Sequence, residues 1–95
     1  MEFKDKGAEE IYDRRPGVKA RALLPVNLHR TALIKLTQLA AAATLEDLKQ
    51  VPENRLEALN GTRAGQYSIR INGQYRICFR WEDGQAKGIE IVDYH

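Results

Sequence analysis

A chain of 95 residues is one domain, long enough for a single hydrophobic core and too short for two. Its 43% hydrophobic content is ordinary for a globular protein, no apolar run approaches the ~18–20 residues that cross a bilayer, and the charged start MEFKDKGAEE lacks a signal-peptide apolar segment. Cys78 is the lone cysteine, which excludes an internal disulfide and fits a reducing cytosol; two scattered histidines give no zinc spacing, so no metal or other cofactor is expected.

In chain order, helix formers over Ala8–Arg15 predict a first helix stopped by Pro16-Gly17. Residues Arg14–Pro25 hold four basic residues with a proline at each end and read as a loop. Asn27 is a candidate N-cap for the next helix. There Leu28, Ala32, Leu36, Leu39 and Ala43 fall at three- and four-residue steps, an apolar face widened by Leu33 and Ala40, with His29, Arg30, Lys35 and Gln38 outside it. Thr44 caps a short helical turn over Leu45–Leu48, and Pro52 closes it. Arg55–Leu59 leads into an Asn60-Gly61 turn.

Alternation then marks strands. Tyr67, Ile69 and Ile71 share one face, opposite Gln66, Ser68 and Arg70; Tyr75, Ile77, Phe79 and Trp81 repeat the pattern, opposite Gln74, Arg76, Cys78 and Arg80. Asn72-Gly73 resembles a two-residue hairpin turn, but that loop would set Ile71 against Gln74 and mix the faces. Cross-strand partners share a face. An odd loop is therefore required, most simply three residues with Gly73 in a left-handed bulge. Asp83-Gly84 makes the next turn, and Ile89 and Ile91 rejoin the apolar face.

Helices must cover that apolar face, giving an α+β fold with helices packed on one side of a small antiparallel sheet. The other face holds Arg70, Arg76 and Arg80. A formal charge of +2 does not mark a nucleic-acid binder, but its distribution is uneven. No acid lies between Glu57 and Glu82, while Arg63, Arg70, Arg76 and Arg80 do. Such a face suits a polyanion. The chain then ends in Asp93-Tyr94-His95, an acid, a phenol and an imidazole of the kind that general acid–base chemistry uses. Together these point to a small enzyme that cuts RNA.

The run NRLEALNGTRAGQYSIRINGQYRICFRW, followed by IEIVDYH, resembles the HigB-type toxins of bacterial toxin–antitoxin modules, in the RelE superfamily, also known as plasmid maintenance system killer proteins. The resemblance is strong from Asn54 to His95, weaker over Asn27–Ala43 and poor over the first 25 residues. It implies a RelE-like, microbial-RNase-like fold with a curved sheet, spanning 1–95 as one toxin domain. It implies ribosome-dependent mRNA cleavage in the A site, neutralisation by a HigA-like helix-turn-helix antitoxin, and contact with operator DNA only through that antitoxin, with no membrane partner. Carried over residue by residue, the site comprises Arg76, Asp93, Tyr94 and His95. Some members have a histidine where this chain has Glu57, so Glu57 or Asp93 stands as the candidate base. Arg55, Arg63, Arg70 and Arg80 are the candidate RNA contacts.

Metal-free RNA cleavage needs a base for the 2′-hydroxyl, a cation for the phosphorane and an acid for the 5′-oxygen. Arg76, expected to face solvent, suits the cation through its rigid two-donor fork. His95 suits acid or base, and Tyr94 can stack on a nucleobase. Strand parity from Ile89 puts Tyr94 on the arginine face and turns Asp93 and His95 away, so a catalytic His95 requires a bend after Val92. Cys78 reads as a packed thiol and Phe79 and Trp81 as core. Two other readings stay open: a non-catalytic inhibitor on the same fold, such as a ParE-like gyrase poison, and an RNA-binding module that does not cut.

Overall fold

The computed structural model describes residues 1–94. The chain runs α1 (Lys6–Tyr12), α2 (Val18–Leu23), α3 (His29–Ala41), α4 (Leu45–Lys49), β1 (Glu57–Ala58), β2 (Tyr67–Arg70), β3 (Tyr75–Glu82) and β4 (Gln85–Asp93), with 3-10 turns before α3, after α4 and between β1 and β2. The strands form an antiparallel sheet in the order β1-β2-β3-β4. Its apolar face, with Ile69, Ile77, Phe79 and Ile89, packs on Ala8, Ile11, Leu36 and Leu39 of the helices. The α+β architecture expected from the sequence is thus the one found. Phe79 is fully buried and Trp81 packs half-buried against the same core. Before α1 the chain lies parallel to β4: Lys4 N donates to Ile89 O at 2.9 Å and Ile89 N to Glu2 O at 3.1 Å, so that edge is covered.

The helical layer departs from expectation in three places. Residues 18–23 form α2 instead of a loop. The reason is a tertiary cap: the Glu10 carboxylate accepts from Gly17 N at 2.9 Å and Ala20 N at 3.0 Å, supplying the α2 amides from α1. Those bonds hold the Glu10 carboxyl below its ordinary value. Gly7 lets the two helices approach closely, since a Cβ there would meet Lys19 O and Leu23 Cδ2, each at 2.9 Å. Asn27 does not cap α3; it lies in the preceding 3-10 turn, and Leu28 takes the cap position without a side-chain bond. Within α3, Lys35 is buried and Ala40 is exposed, and Ala43, also exposed, lies beyond the helix end at Ala41. Lys35 sits three residues after Ala32 and four before Leu39, so it lies on the apolar stripe. Its ammonium donates to Asn54 Oδ1 at 2.7 Å. Thr44 caps α4 as expected, in a reciprocal box with Asp47.

The β2–β3 register is the odd-loop one. Ile69 opposes Ile77, Arg70 opposes Arg76, and Ile71 N donates to Tyr75 O at 2.9 Å. Gly73 is not left-handed, however. The Asn72 side chain closes the loop instead, accepting from Gln74 N at 2.9 Å and Tyr75 N at 2.8 Å. The left-handed bulge lies in β4. The register with β3 shifts between Cys78 and Arg80, where Gly88 has φ 62°. This extra residue lets Ala86, Ile89 and Ile91 all reach the core. Cys78 faces the arginine side by alternation but is fully buried, and that burial pushes its thiol pKa up.

The expected bend after Val92 is absent from the described residues. Val92 opposes Arg76, Asp93 opposes Tyr75, and Tyr94 N donates to Gln74 O at 2.6 Å. The ladder therefore runs regularly through Tyr94, because the turn residue Gln74 still offers an acceptor. His95 lies outside the described residues.

Candidate functional site

Two-residue β1 positions the site. Glu57 opposes Ser68 across β1–β2, and Ser68 opposes Cys78 across β2–β3. Arg76, two residues from Cys78 on the same face, is thus a diagonal neighbour of Ser68. Its guanidinium reaches along that diagonal. Nε donates to Ser68 Oγ at 2.7 Å, Nη2 to Arg55 O at 2.6 Å and Ser68 O at 3.3 Å, and Nη1 lies 3.3 Å from Glu57 Oε1. Arg76 is only 7% exposed, which corrects the expectation that it faces solvent. One strand-end aromatic completes the arrangement: Tyr94, kept on this face by the unbroken ladder, has its ring centroid 5.5 Å from the Arg76 guanidinium carbon.

These residues border an open cleft of about 250 Å³, lined by Arg55, Glu57, Arg70, Arg76 and Tyr94 together with the Asn72-Gly73 turn. Arg55 enters it from a left-handed backbone, φ 45° and ψ 54°, that ends the 3-10 turn after α4 and turns its carbonyl onto Arg76. Among the described residues, Arg55 and Arg70 make no ion pair and no side-chain hydrogen bond. They are the cations on this face left available to a ligand.

The other expected site residues lie elsewhere. Asp93 does not line the cleft, and its carboxylate accepts from Gln74 Nε2 at 3.0 Å at the sheet end. Arg63 is bound to Glu90 Oε2 at 3.1 Å and Gln66 Oε1 at 3.0 Å, and the Glu90 bond raises its pKa. Arg80 pairs with Glu82 at 2.9 Å and approaches Glu2 at 3.9 Å. The face is therefore not free of acids. Glu2 and Glu90 reach it from sequence positions outside the acid-free interval, and Glu57 and Glu82 from that interval's ends. Sequence reading placed Ser68 on this face and Asn72 in the turn but missed what their side chains do: Ser68 holds Arg76 and Asn72 closes the loop. For Asn72 the signal was the Asn-Gly pair; a serine between apolar strand positions carries none.

The cleft gathers an unpaired cation pair, a carboxylate beside a braced guanidinium and an exposed aromatic, a set that can hold a phosphodiester and accept a proton beside it. Comparison with known proteins identifies the family. A family described as the RelE-like toxin of the type II toxin–antitoxin system HigB matches residues 1–95. Toxin HigB-1 of Vibrio cholerae is 42% identical over 86 residues, covering 90% of this chain and 87% of that protein. Endoribonuclease HigB of Proteus vulgaris is 28% identical over 95 residues, covering 98% of this chain and 96% of its own. A solved YoeB/ParE toxin from Agrobacterium tumefaciens aligns with a TM-score of 0.48 at 18% identity, over 97% of this chain and 99% of that one. The chain belongs to the HigB-like family of RelE-like toxins from type II toxin–antitoxin systems, a class whose toxins are paired with an antitoxin.

Proposed function

We propose that this toxin is an endoribonuclease that cuts messenger RNA in the ribosomal A site and thereby stops translation. The observation that carries the reading is the convergence of Arg55, Glu57, Arg70, Arg76 and Tyr94 on one cleft. The Proteus vulgaris relative, an endoribonuclease by name, supports the reaction class. In this scheme the 2′-oxygen attacks the adjacent phosphorus while the Glu57 carboxylate takes its proton. Glu57 is favoured over Asp93 as base because it lines the cleft and Asp93 does not. Negative charge growing on the phosphorane oxygens is stabilised by Arg76, with Arg55 and Arg70 alongside. The bond from phosphorus to the 5′-oxygen then breaks, and that oxygen takes a proton from His95, the next residue after Tyr94. A 2′,3′-cyclic phosphate and a 5′-hydroxyl remain. Tyr94 stacks on a base of the strand. Every proton and charge is assigned to a side chain, so the scheme uses no metal.

An open cleft with few walls aligns a flexible strand poorly, so the ribosome supplies the alignment. The partner antitoxin in this reading is HigA-like, with a helix-turn-helix domain that brings the pair to operator DNA, and the site of action is the cytoplasm. Among the described residues no helix is long and apolar enough to cross a membrane. Primer extension on a message with and without translating ribosomes tests the proposal. Cuts that appear only under translation are expected; equal cutting of naked RNA overturns ribosome dependence, and no cutting in either overturns the nuclease.

A further inference from the structure

Lys35 is 8% exposed, and the one acceptor its ammonium has among the described residues is neutral: Asn54 Oδ1 at 2.7 Å. Asn54 is fully buried and its amide nitrogen donates to Leu48 O at 3.1 Å, which fixes the oxygen toward Lys35. No carboxylate pairs with Lys35 among the described residues. Burying a charge without an opposite charge is unfavourable, and such a site gains most from an anion.

The surroundings supply room for one. Lys35 borders a groove of about 580 Å³ between α3 and the 3-10 turn after α4, together with Thr31, Glu53, Arg55, Arg70 and Asn72. Arg55, Arg70 and Asn72 also line the Arg76–Tyr94 cleft, so the two depressions share a wall. Three cations thus face one acid, Glu53, in the groove. Arg55 and Arg70, which make no ion pair among the described residues, stand where groove and cleft meet, whereas Arg63, Arg76 and Arg80 are already paired.

We propose that this groove is a second phosphate subsite, which takes the phosphodiester next to the one in the cleft. Lys35 is its buried anchor, Thr31 offers a hydroxyl, and Arg55 and Arg70 bridge the two phosphates. The toxin then grips two consecutive phosphates of single-stranded RNA. The inference rests on the endoribonuclease reading and deepens it.

The test uses the full chain with uncleavable 2′-deoxy oligonucleotides: a dinucleotide with one phosphodiester, a tetranucleotide with three, and inorganic phosphate. Wild-type protein should bind the tetranucleotide about tenfold or more tighter than the dinucleotide, the scale of one added charge-assisted contact. Lys35→Gln retains a donor for Asn54 but removes the charge. It should lose about tenfold on the tetranucleotide alone and lower the salt slope by about 0.7, the value per phosphate for single strands. Because a variant at a buried position can misfold, the wild type also carries a direct readout: the tetranucleotide should shift the NMR signals of Lys35 and Asn54.

Equal affinity for the two oligonucleotides, or unmoved Lys35 and Asn54 signals, overturns the subsite. Signals that move with inorganic phosphate and not with the tetranucleotide assign the groove to a free anion and overturn it as well. Message cleavage is scored separately. A wild type that binds through Lys35 yet cuts nothing keeps the subsite and loses the nuclease. One that cuts yet binds both oligonucleotides equally loses the subsite alone.

Discussion

Arg76 Nε donates to Ser68 Oγ at 2.7 Å, a diagonal bond between β3 and β2 that holds the guanidinium beneath Tyr94. Arg76 is therefore a structural member of the sheet as well as the cation of the cleft. Arg76→Ala should lower cleavage by roughly 10²–10³-fold, the usual loss for one preorganised charge stabiliser. It should also destabilise the fold by about 1–3 kcal/mol, because the Ser68 hydroxyl and the Ser68 and Arg55 carbonyls lose their donor. Ser68→Ala should retain most of the stability while loosening the guanidinium. Denaturant midpoints beside cleavage assays separate the two effects; Arg76→Ala with unchanged stability would make the guanidinium catalytic alone.

Glu57 is half-exposed and sits 3.3 Å from Arg76 Nη1, so it can be changed with little effect on packing. Glu57→Gln should cut cleavage by roughly 10²–10⁴-fold, the range for a general base, with an unchanged denaturant midpoint. Full activity in Glu57→Gln removes the carboxylate from the chemistry and turns attention to Asp93.

His95→Gln should arrest neither growth nor translation when expressed without antitoxin, since an amide cannot carry the proton near neutral pH. Antitoxin pull-down should be unaffected. The point substitution is preferable to trimming the last three residues, because Asp93 and Tyr94 belong to the β4 ladder and deleting them removes sheet bonds. Normal message cutting by His95→Gln would shift the acid role to Tyr94.

The Glu10 carboxyl titrates below its ordinary value because Ala20 N and Gly17 N donate to it. A lowered folded-state pKa gives stability that is present above the unfolded value and is lost as pH falls through the folded one. The wild type should thus weaken as pH drops below about 4.5, the ordinary carboxyl value, and Glu10→Gln should flatten that acid limb. Denaturant midpoints measured across the acid range check this; parallel curves for the two proteins would leave Glu10 without a role in joining α1 to α2.

Gly7→Ala should destabilise the protein by about 1–3 kcal/mol through overpacking, because the new methyl meets the Lys19 carbonyl, which cannot swing aside. A thermal melt reads the loss, and proteolysis should first attack residues 13–25 as α2 lifts from α1.

The sheet was legible in the sequence because period-two alternation is local, and the face-sharing rule then chose the odd β2–β3 loop without any structure. Alternation likewise set Arg70 and Arg76 on the outer face and Tyr94 beside them, whereas Glu57 entered only through the family resemblance. What was hidden came from distant partners. α2 depends on Glu10, seven residues before Gly17, and nothing in residues 18–23 announces that cap. The apparent absence of acids among the arginines dissolved because Glu90 and Glu2 come from strands and edges far along the chain. Lys35 was assigned outward on residue type although its spacing placed it on the buried stripe; the type rule gave way because Asn54 was there to receive it.

The position of Cys78 gives the molecule an internal clock. Its thiol lies in the middle strand pair, fully enclosed and held protonated by burial, so reagents that attack thiolates meet nothing on the native surface. Labelling can proceed only when β3 parts from its neighbours. The speed of modification in a dilute disulfide reagent therefore counts openings of the sheet itself, and any ligand that clamps β2, β3 and β4 together will announce its binding by slowing that count.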